Sequence, residues 1–173
     1  MKISILTTGG TIDKTYNELE GDLRNDRTMI ESILGSLRLP DLFIKHVHVM
    51  NKDSLEMTEE DREIILLAVK TNITLSDAIV IIHGTDTLSV TGEYLYEKLP
   101  DLTIPIVMTG AMRPYEFRDS DALQNVTEAL LATRMISTGI WVAMHNRLLE
   151  FPGIIKDRKN LTFGTIKEIH QTT

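Results

Sequence analysis

The run Ala78-Ile79-Val80-Ile81-Ile82 is apolar at every position. A strand with one wet face alternates apolar and polar residues. A strand without alternation needs cover on both faces, as in a parallel sheet layered between helices. The chain around this run keeps one rhythm. Residues 3–7 are β-rich and stop at Gly9-Gly10. Asp26 or Thr28 can cap a helix through Leu37, ahead of Pro40. Residues 43–50 interleave apolar side chains with Lys45, His46 and His48, as a strand near a sheet edge does. Thr58-Glu59-Glu60-Asp61 is close to a capping box and should open a helix to about Asn72.

Beyond the central run, the pattern predicts a helix over residues 90–99 and a strand over 104–108, whose proline suits a strand start. Ser120 can cap a helix to about Ser137, with Ala122, Val126, Ala129, Leu130, Thr133 and Ile136 on one face. A fifth strand is expected at Gly139–Met144, and residues 148–155 and 161–169 read as short tail segments in hairpins. Strand and helix alternate throughout. That order implies right-handed crossovers and an α/β fold: an open, mainly parallel sheet of Rossmann-like or flavodoxin-like type with helices on both faces. With 173 residues, one domain spanning 1–173 is expected.

Composition removes several function classes. The chain carries 18 Lys and Arg against 25 Asp and Glu, a net charge of −7, which disfavours nucleic acid as the main partner. It has no cysteine, so disulfide scaffolds, thiolate zinc sites and cysteine nucleophiles are excluded. No apolar run reaches the roughly 18 residues of a membrane span. The apolar stretch at the N-terminus is too short for a signal peptide and reads as a strand. A cytoplasmic protein with no membrane partner is expected. The P-loop, the GxGxxG fingerprint, the GxSxG elbow and HExxH are all missing. His46, His48, His145 and His170 show no ligand-like spacing with carboxylates, so no metal is expected.

Ligands of an open parallel sheet bind beyond the carboxyl ends of its strands. Those ends carry Thr7-Thr8-Gly9-Gly10-Thr11, Asp53-Ser54, His83-Gly84-Thr85-Asp86-Thr87, Thr109-Gly110-Ala111-Met112-Arg113-Pro114 and His145-Asn146. Glycine exposes backbone amides to a ligand, and hydroxyls bond its polar atoms. The same residues also make turns and helix caps. His83 reads as a buried structural histidine. Thr8 or Thr11 can supply a hydroxyl nucleophile in a glycine turn, once a base takes its proton. No His–Asp pairing suggests that base. A lysine can serve when its surroundings favour the neutral amine, and Lys156 and Lys159 are the candidates.

Three segments together are specific. Thr8-Gly9-Gly10-Thr11-Ile12, His83-Gly84-Thr85-Asp86-Thr87 and Thr109-Gly110-Ala111-Met112-Arg113-Pro114 resemble the signature segments of bacterial-type L-asparaginases. Asp53-Ser54-Leu55-Glu56-Met57 resembles that family's substrate-binding loop, and residues 119–125 resemble the helix start after its fourth strand. The likeness runs over about residues 3–163. It implies hydrolysis of a side-chain amide, L-asparagine first and L-glutamine more weakly, through an acyl-enzyme and without a cofactor. It implies Thr11 as nucleophile, and Thr85 with Asp86 as the pair that works with a lysine, matched by Lys156. Ser54 and Asp86 match the positions that hold the substrate's α-carboxylate and α-amino groups. The Gly10 and Thr85 amides, or water, are the implied oxyanion donors. The family's mobile-loop tyrosine has its nearest counterpart in Tyr16, which follows Thr11 more closely than the family spacing.

Family members usually carry a second, smaller C-terminal domain, from which a neighbouring subunit completes each site. This chain resembles the N-terminal catalytic domain only. The resemblance therefore implies a short single-domain form, a more open pocket, and a homo-oligomer, dimer or tetramer. The competing expectations are a non-catalytic amino-acid-binding or regulatory module and a truncated domain that needs a partner.

Overall fold

The side chains of Ala78, Val80 and Ile82 point to one side of their strand, and those of Ile79 and Ile81 to the other; all five are fully buried. A computed structural model describes residues 1–24 and 28–171 of the chain. In chain order the first half comprises β1 (Lys2–Thr7), β2 (Thr15–Asn17), β3 (Asp22–Arg24), α1 (Ile30–Ser36), β4 (Phe43–His48), α2 (Glu59–Ile73) and β5 (Ala78–Ile82). The second half comprises α3 (Leu88–Lys98), β6 (Pro105–Thr109), α4 (Ala122–Ala132), β7 (Gly139–Met144), β8 (Arg147–Glu150), β9 (Ile154–Asp157), β10 (Thr162–Thr165) and α5 (Ile166–Gln171).

The main sheet has the order β4-β1-β5-β6-β7-β8. Its first five strands pair in parallel, and β8 turns back antiparallel on β7. The parallel strands thus follow the doubly wound order that reverses at β1, where ligands sit beyond the carboxyl ends. One apolar layer joins Ile3, Ile5, Val80 and Val107 to Ile30 and Ile33 of α1 and Val126 and Leu130 of α4. The opposite layer joins Leu6, Ile79, Ile81 and Ile106 to Ile65 and Val69 of α2 and Leu95 of α3. Each buried isoleucine or leucine contributes about 1.5–3 kcal/mol over its exposed state, which fixes both the register and the two-sided cover. Among the described residues no helix is long and apolar enough to cross a membrane.

Several boundaries follow from local chemistry. Thr58 and Asp61 exchange both bonds of a capping box at the start of α2. Pro105 stands at the first position of β6, where a missing N–H costs least. The helix expected to run to Ser137 ends at Ala132. There the Thr133 hydroxyl bonds the Leu130 carbonyl at 2.7 Å, and Arg134 and Met135 bond back only three residues. A hydroxyl competing for backbone acceptors tightens and stops a helix in this way. Asp26, one expected cap of α1, lies outside the described residues. The other, Thr28, accepts from Ile30 N at 3.4 Å, while the buried Asp13 accepts from Met29 N at 2.8 Å.

The tail differs from its expected hairpins. Residues 148–155 split between two sheets, because Pro152 and Gly153 (φ 90°) turn the chain after β8. The tail hairpin is β9 with β10, and the end of the expected 161–169 segment is helical, in α5. The β2–β3 hairpin was not expected from the sequence.

Candidate active site

The loops that follow β1 and β5 meet backbone to backbone. Gly10 holds φ 90°, and a side chain there would place its Cβ 2.5 Å from Gly84 Cα. A side chain at Gly84 would in turn meet Ser54 Oγ at 2.5 Å. Only glycine fits positions with such contacts. Three strand ends are locked together by this packing, and Thr11, Thr85 and Ser54 leave the lock from adjoining points. Ser54 is buried, its carbonyl accepts the Thr87 hydroxyl at 2.7 Å, and Lys14 ties its neighbour Asp53 to the glycine turn at 2.8 Å. The Lys14 hydrogen bond, with the Leu55 amide, holds the Asp53 carboxyl below the usual range.

Lys156 enters this cluster from β9. Its Nζ donates to Thr85 Oγ1 at 2.8 Å and to Asp86 Oδ1 at 3.0 Å. Thr85 is buried, and the Lys156 side chain is 13% exposed. Arg158 reaches the same Asp86 oxygen at 3.3 Å from a largely exposed position. Lys159, the alternative lysine, is exposed and bonds Asp157 through its backbone amide. Thr11 opens a short 3-10 turn, Thr11–Asp13, and is partly exposed. Thr8, the other candidate hydroxyl, is buried and donates to the Ile82 carbonyl at 3.0 Å, so its oxygen serves the sheet.

Tyr16 is not drawn into the cluster. It sits on β2, a residue 57% exposed, with its hydroxyl 3.8 Å from where a Gly21 Cβ would stand. No hydrogen bond joins that hydroxyl to Thr11 among the described residues. His83 is fully buried between the Gly84 carbonyl at 2.8 Å and Thr91 Oγ1 at 2.9 Å. Burial pushes its pKa down to about 4, so it is a neutral structural group near pH 7.

The sequence suggests no His–Asp pair, and the structure contains one. His145 Nε2 lies 2.7 Å from Asp121 Oδ2, and His145 Nδ1 lies 3.1 Å from Thr162 Oγ1. Burial works to raise the Asp121 pKa. The bonds from His145 and from the Met112 and Arg113 amides outweigh it and bring it to about 2. These residues stand far apart in sequence, so spacing carries no sign of them. The usable signal is position: His145 follows directly on the carboxyl end of β7.

Among the described residues no group of three His, Asp or Glu side chains is placed to hold a metal ion; the His170 side chain lies outside that description. A surface hollow of about 270 Å³ between α4 and β8, lined by Leu131, Met135 and Leu148 among others, lies apart from the Lys156 cluster. Convergent polar groups, rather than concavity, mark the candidate site. The arrangement supplies hydroxyls beside an amine and a carboxylate, the parts of a nucleophile with its proton acceptor.

Comparison with known proteins gives a consistent answer. Residues 2–161 match the family model described as "Asparaginase, N-terminal". The chain is 34% identical over 149 residues to an L-asparaginase of Thermococcus kodakarensis, covering 86% of this chain and 45% of that protein. The solved structure of the thermostable L-asparaginase from that organism superposes with a TM-score of 0.86 at 32% identity, over 96% of this chain and 51% of the other. A probable cytoplasmic L-asparaginase from Campylobacter jejuni gives a TM-score of 0.74 at 26% identity, over 95% and 51%. One component of a glutamyl-tRNA(Gln) amidotransferase from Methanococcus vannielii is 31% identical over 148 residues, 84% of this chain and 34% of that protein. The chain thus spans about half or less of the length of these relatives.

Proposed function

This chain belongs to the asparaginase family, and from that premise we propose that it is an amidohydrolase cleaving L-asparagine to L-aspartate and ammonia. The observation that carries the reading is the Lys156 amine bonded to both Thr85 and Asp86, beside the glycine lock from which Thr11 emerges. In this reading Thr11 Oγ1 attacks the side-chain amide carbon and its proton leaves with the nitrogen as ammonia. The resulting ester on Thr11 is hydrolysed by water, whose proton is drawn off through Thr85 and Lys156. The Gly10 and Thr85 amides stabilise the oxyanion of each tetrahedral intermediate. Ser54 receives the substrate's α-carboxylate, and Asp86 its α-amino group. Tyr16 takes part only if the β2–β3 hairpin swings over the site.

L-glutamine differs by one methylene, which such a pocket discriminates by only about 1–3 kcal/mol, so weaker glutaminase activity accompanies the main one. No cofactor enters this route. A homo-oligomer, dimer or tetramer, and a cytoplasmic location belong to the same reading; likeness to the probable cytoplasmic enzyme of Campylobacter jejuni supports the location. Likeness to an amidotransferase component supports a second reading, in which the same site works within a larger assembly. The test is ammonia release from L-asparagine at high substrate concentration, wild type beside Thr11→Ala. Release by the wild type and its loss in the variant are expected. Full release by the variant would move the nucleophile elsewhere.

A further inference from the structure

The amine of Lys156 reaches Thr85 from outside the main sheet. Among the described residues strand β9 pairs only with β10, in a two-stranded sheet of its own, with Lys156 opposite Phe163 and Asp157 opposite Thr162. The contact between Lys156 and Thr85 therefore depends on how this hairpin is docked. At its near end, Gly153 N donates to Glu93 at 2.6 Å. At its far end the side chain of Thr162 meets His145 at 3.1 Å.

The His145 contact continues inward. Asp121 accepts from His145 Nε2 at 2.7 Å, from Asn125 Nδ2 at 2.8 Å and from the Met112 and Arg113 amides at 3.0 Å. Asn125 also accepts the His145 amide at 3.1 Å and donates to the Gly110 carbonyl at 2.9 Å. Gly110 packs on the site itself, since a side chain there would stand 3.2 Å from Thr85 Cγ2. One hydrogen-bonded line thus leads from the neighbour of Thr85 to the partner strand of Lys156. Both ends of the Lys156–Thr85 bond rest on the same support.

The two ring nitrogens divide the contacts: Nε2 faces the Asp121 carboxylate, and Nδ1 faces the Thr162 hydroxyl. The turn that presents His145 is tight, with φ 54° at His145 and 59° at Asn146. Backbone in this region is uncommon for any residue but glycine, and it aims the imidazole at the hairpin.

We propose that His145 and Thr162, backed by Asp121, are positioning residues that hold the β9–β10 hairpin so that the Lys156 amine meets Thr85. The proposal deepens the amidohydrolase reading and rests on it for its kinetic consequence. No bond is made or broken along the line; its work is geometric.

The test compares Thr162→Val, which keeps the shape and loses the hydroxyl, with Thr162→Ser, which keeps the hydroxyl. Misplacement of a reacting group lowers turnover steeply, so kcat for L-asparagine should fall about tenfold in Thr162→Val with KM held within about twofold. Acetylation of Lys156 by an amine-reactive ester, read by peptide mass spectrometry, should speed up several-fold in the same variant, with Lys98 as the unchanged internal reference. Thr162→Ser should restore both. The proposal is overturned if Thr162→Val matches the wild type in labelling, or if Thr162→Ser behaves like Thr162→Val. A wild type that releases no ammonia would refute the amidohydrolase reading. The labelling contrast would still decide the positioning role.

Discussion

The candidate site is built from two regions held in different ways. The strand-end loops after β1 and β5 are locked by glycine backbones pressed together and against the loop that begins at Ser54. The β9–β10 hairpin that delivers Lys156 is docked through side chains such as His145, Glu93 and Arg147, the last donating to the Phe163 carbonyl at 2.9 Å. A backbone lock has no slack: a single added methyl must push a strand end away. A side-chain anchor can lose one bond and keep the others. Damage to the first region should therefore appear as lost stability, and damage to the second as lost turnover in a folded protein.

The largest expected effect lies in the lock. Gly10→Ala forces a Cβ into Gly84 and strains a residue at φ 90°. Together these should cost about 3 kcal/mol or more, measured by urea denaturation. A variant as stable as the wild type would show that the loops have slack after all.

Acid should separate the two regions by pH. His83 lies within the locked region with its folded pKa at about 4, below the ordinary 6.5. The unfolded chain takes this proton first, so its contribution is complete above pH 6.5 and is lost as pH falls toward 4. The loss amounts to roughly 3 kcal/mol. Asp121 lies in the hairpin's support with its folded pKa at about 2, below the ordinary 3.8. Its contribution is present above pH 3.8 and disappears as pH falls toward 2, a smaller loss of roughly 2 kcal/mol. Denaturation across pH should show both windows, with the upper one abolished in His83→Gln and the lower one in Asp121→Asn. A single window below pH 4 in the wild type would remove His83 from this account.

The two regions also differ in how far their sequences reveal them. The runs that form β5, β6 and β7 are mostly apolar because burial on both faces demands it, and β1 interrupts its run with Ser4, so the residues alone locate the strand ends and their glycines. The order of the sheet then brings Thr11, Ser54 and Thr85 together. The hairpin strands are only four residues each and mix charge with apolar side chains, as in Ile154–Asp157. Too little periodicity remains there to separate strand from loop. Residue type leaves Lys156 and Lys159 both open and likeness favours Lys156; the hairpin's placement, with the Lys156 amine on Thr85, is what separates them. Asp121, His145 and Thr162 form their line only through tertiary pairing, which no local pattern encodes. Tyr16 shows the converse: a residue matched by likeness that this conformation leaves facing solvent.

In the proposed function, Lys156, delivered by the hairpin to Thr85, makes an amide hydrolase of the strand-end cluster. The most direct measurement is ammonia release from L-asparagine by Lys156→Met against the wild type, with thermal melts of both. The wild type should release ammonia, and the variant should lose about 10²–10⁴-fold of that rate while melting as a folded protein. Equal rates in the two proteins would contradict the account, and so would a folded wild type that releases no ammonia.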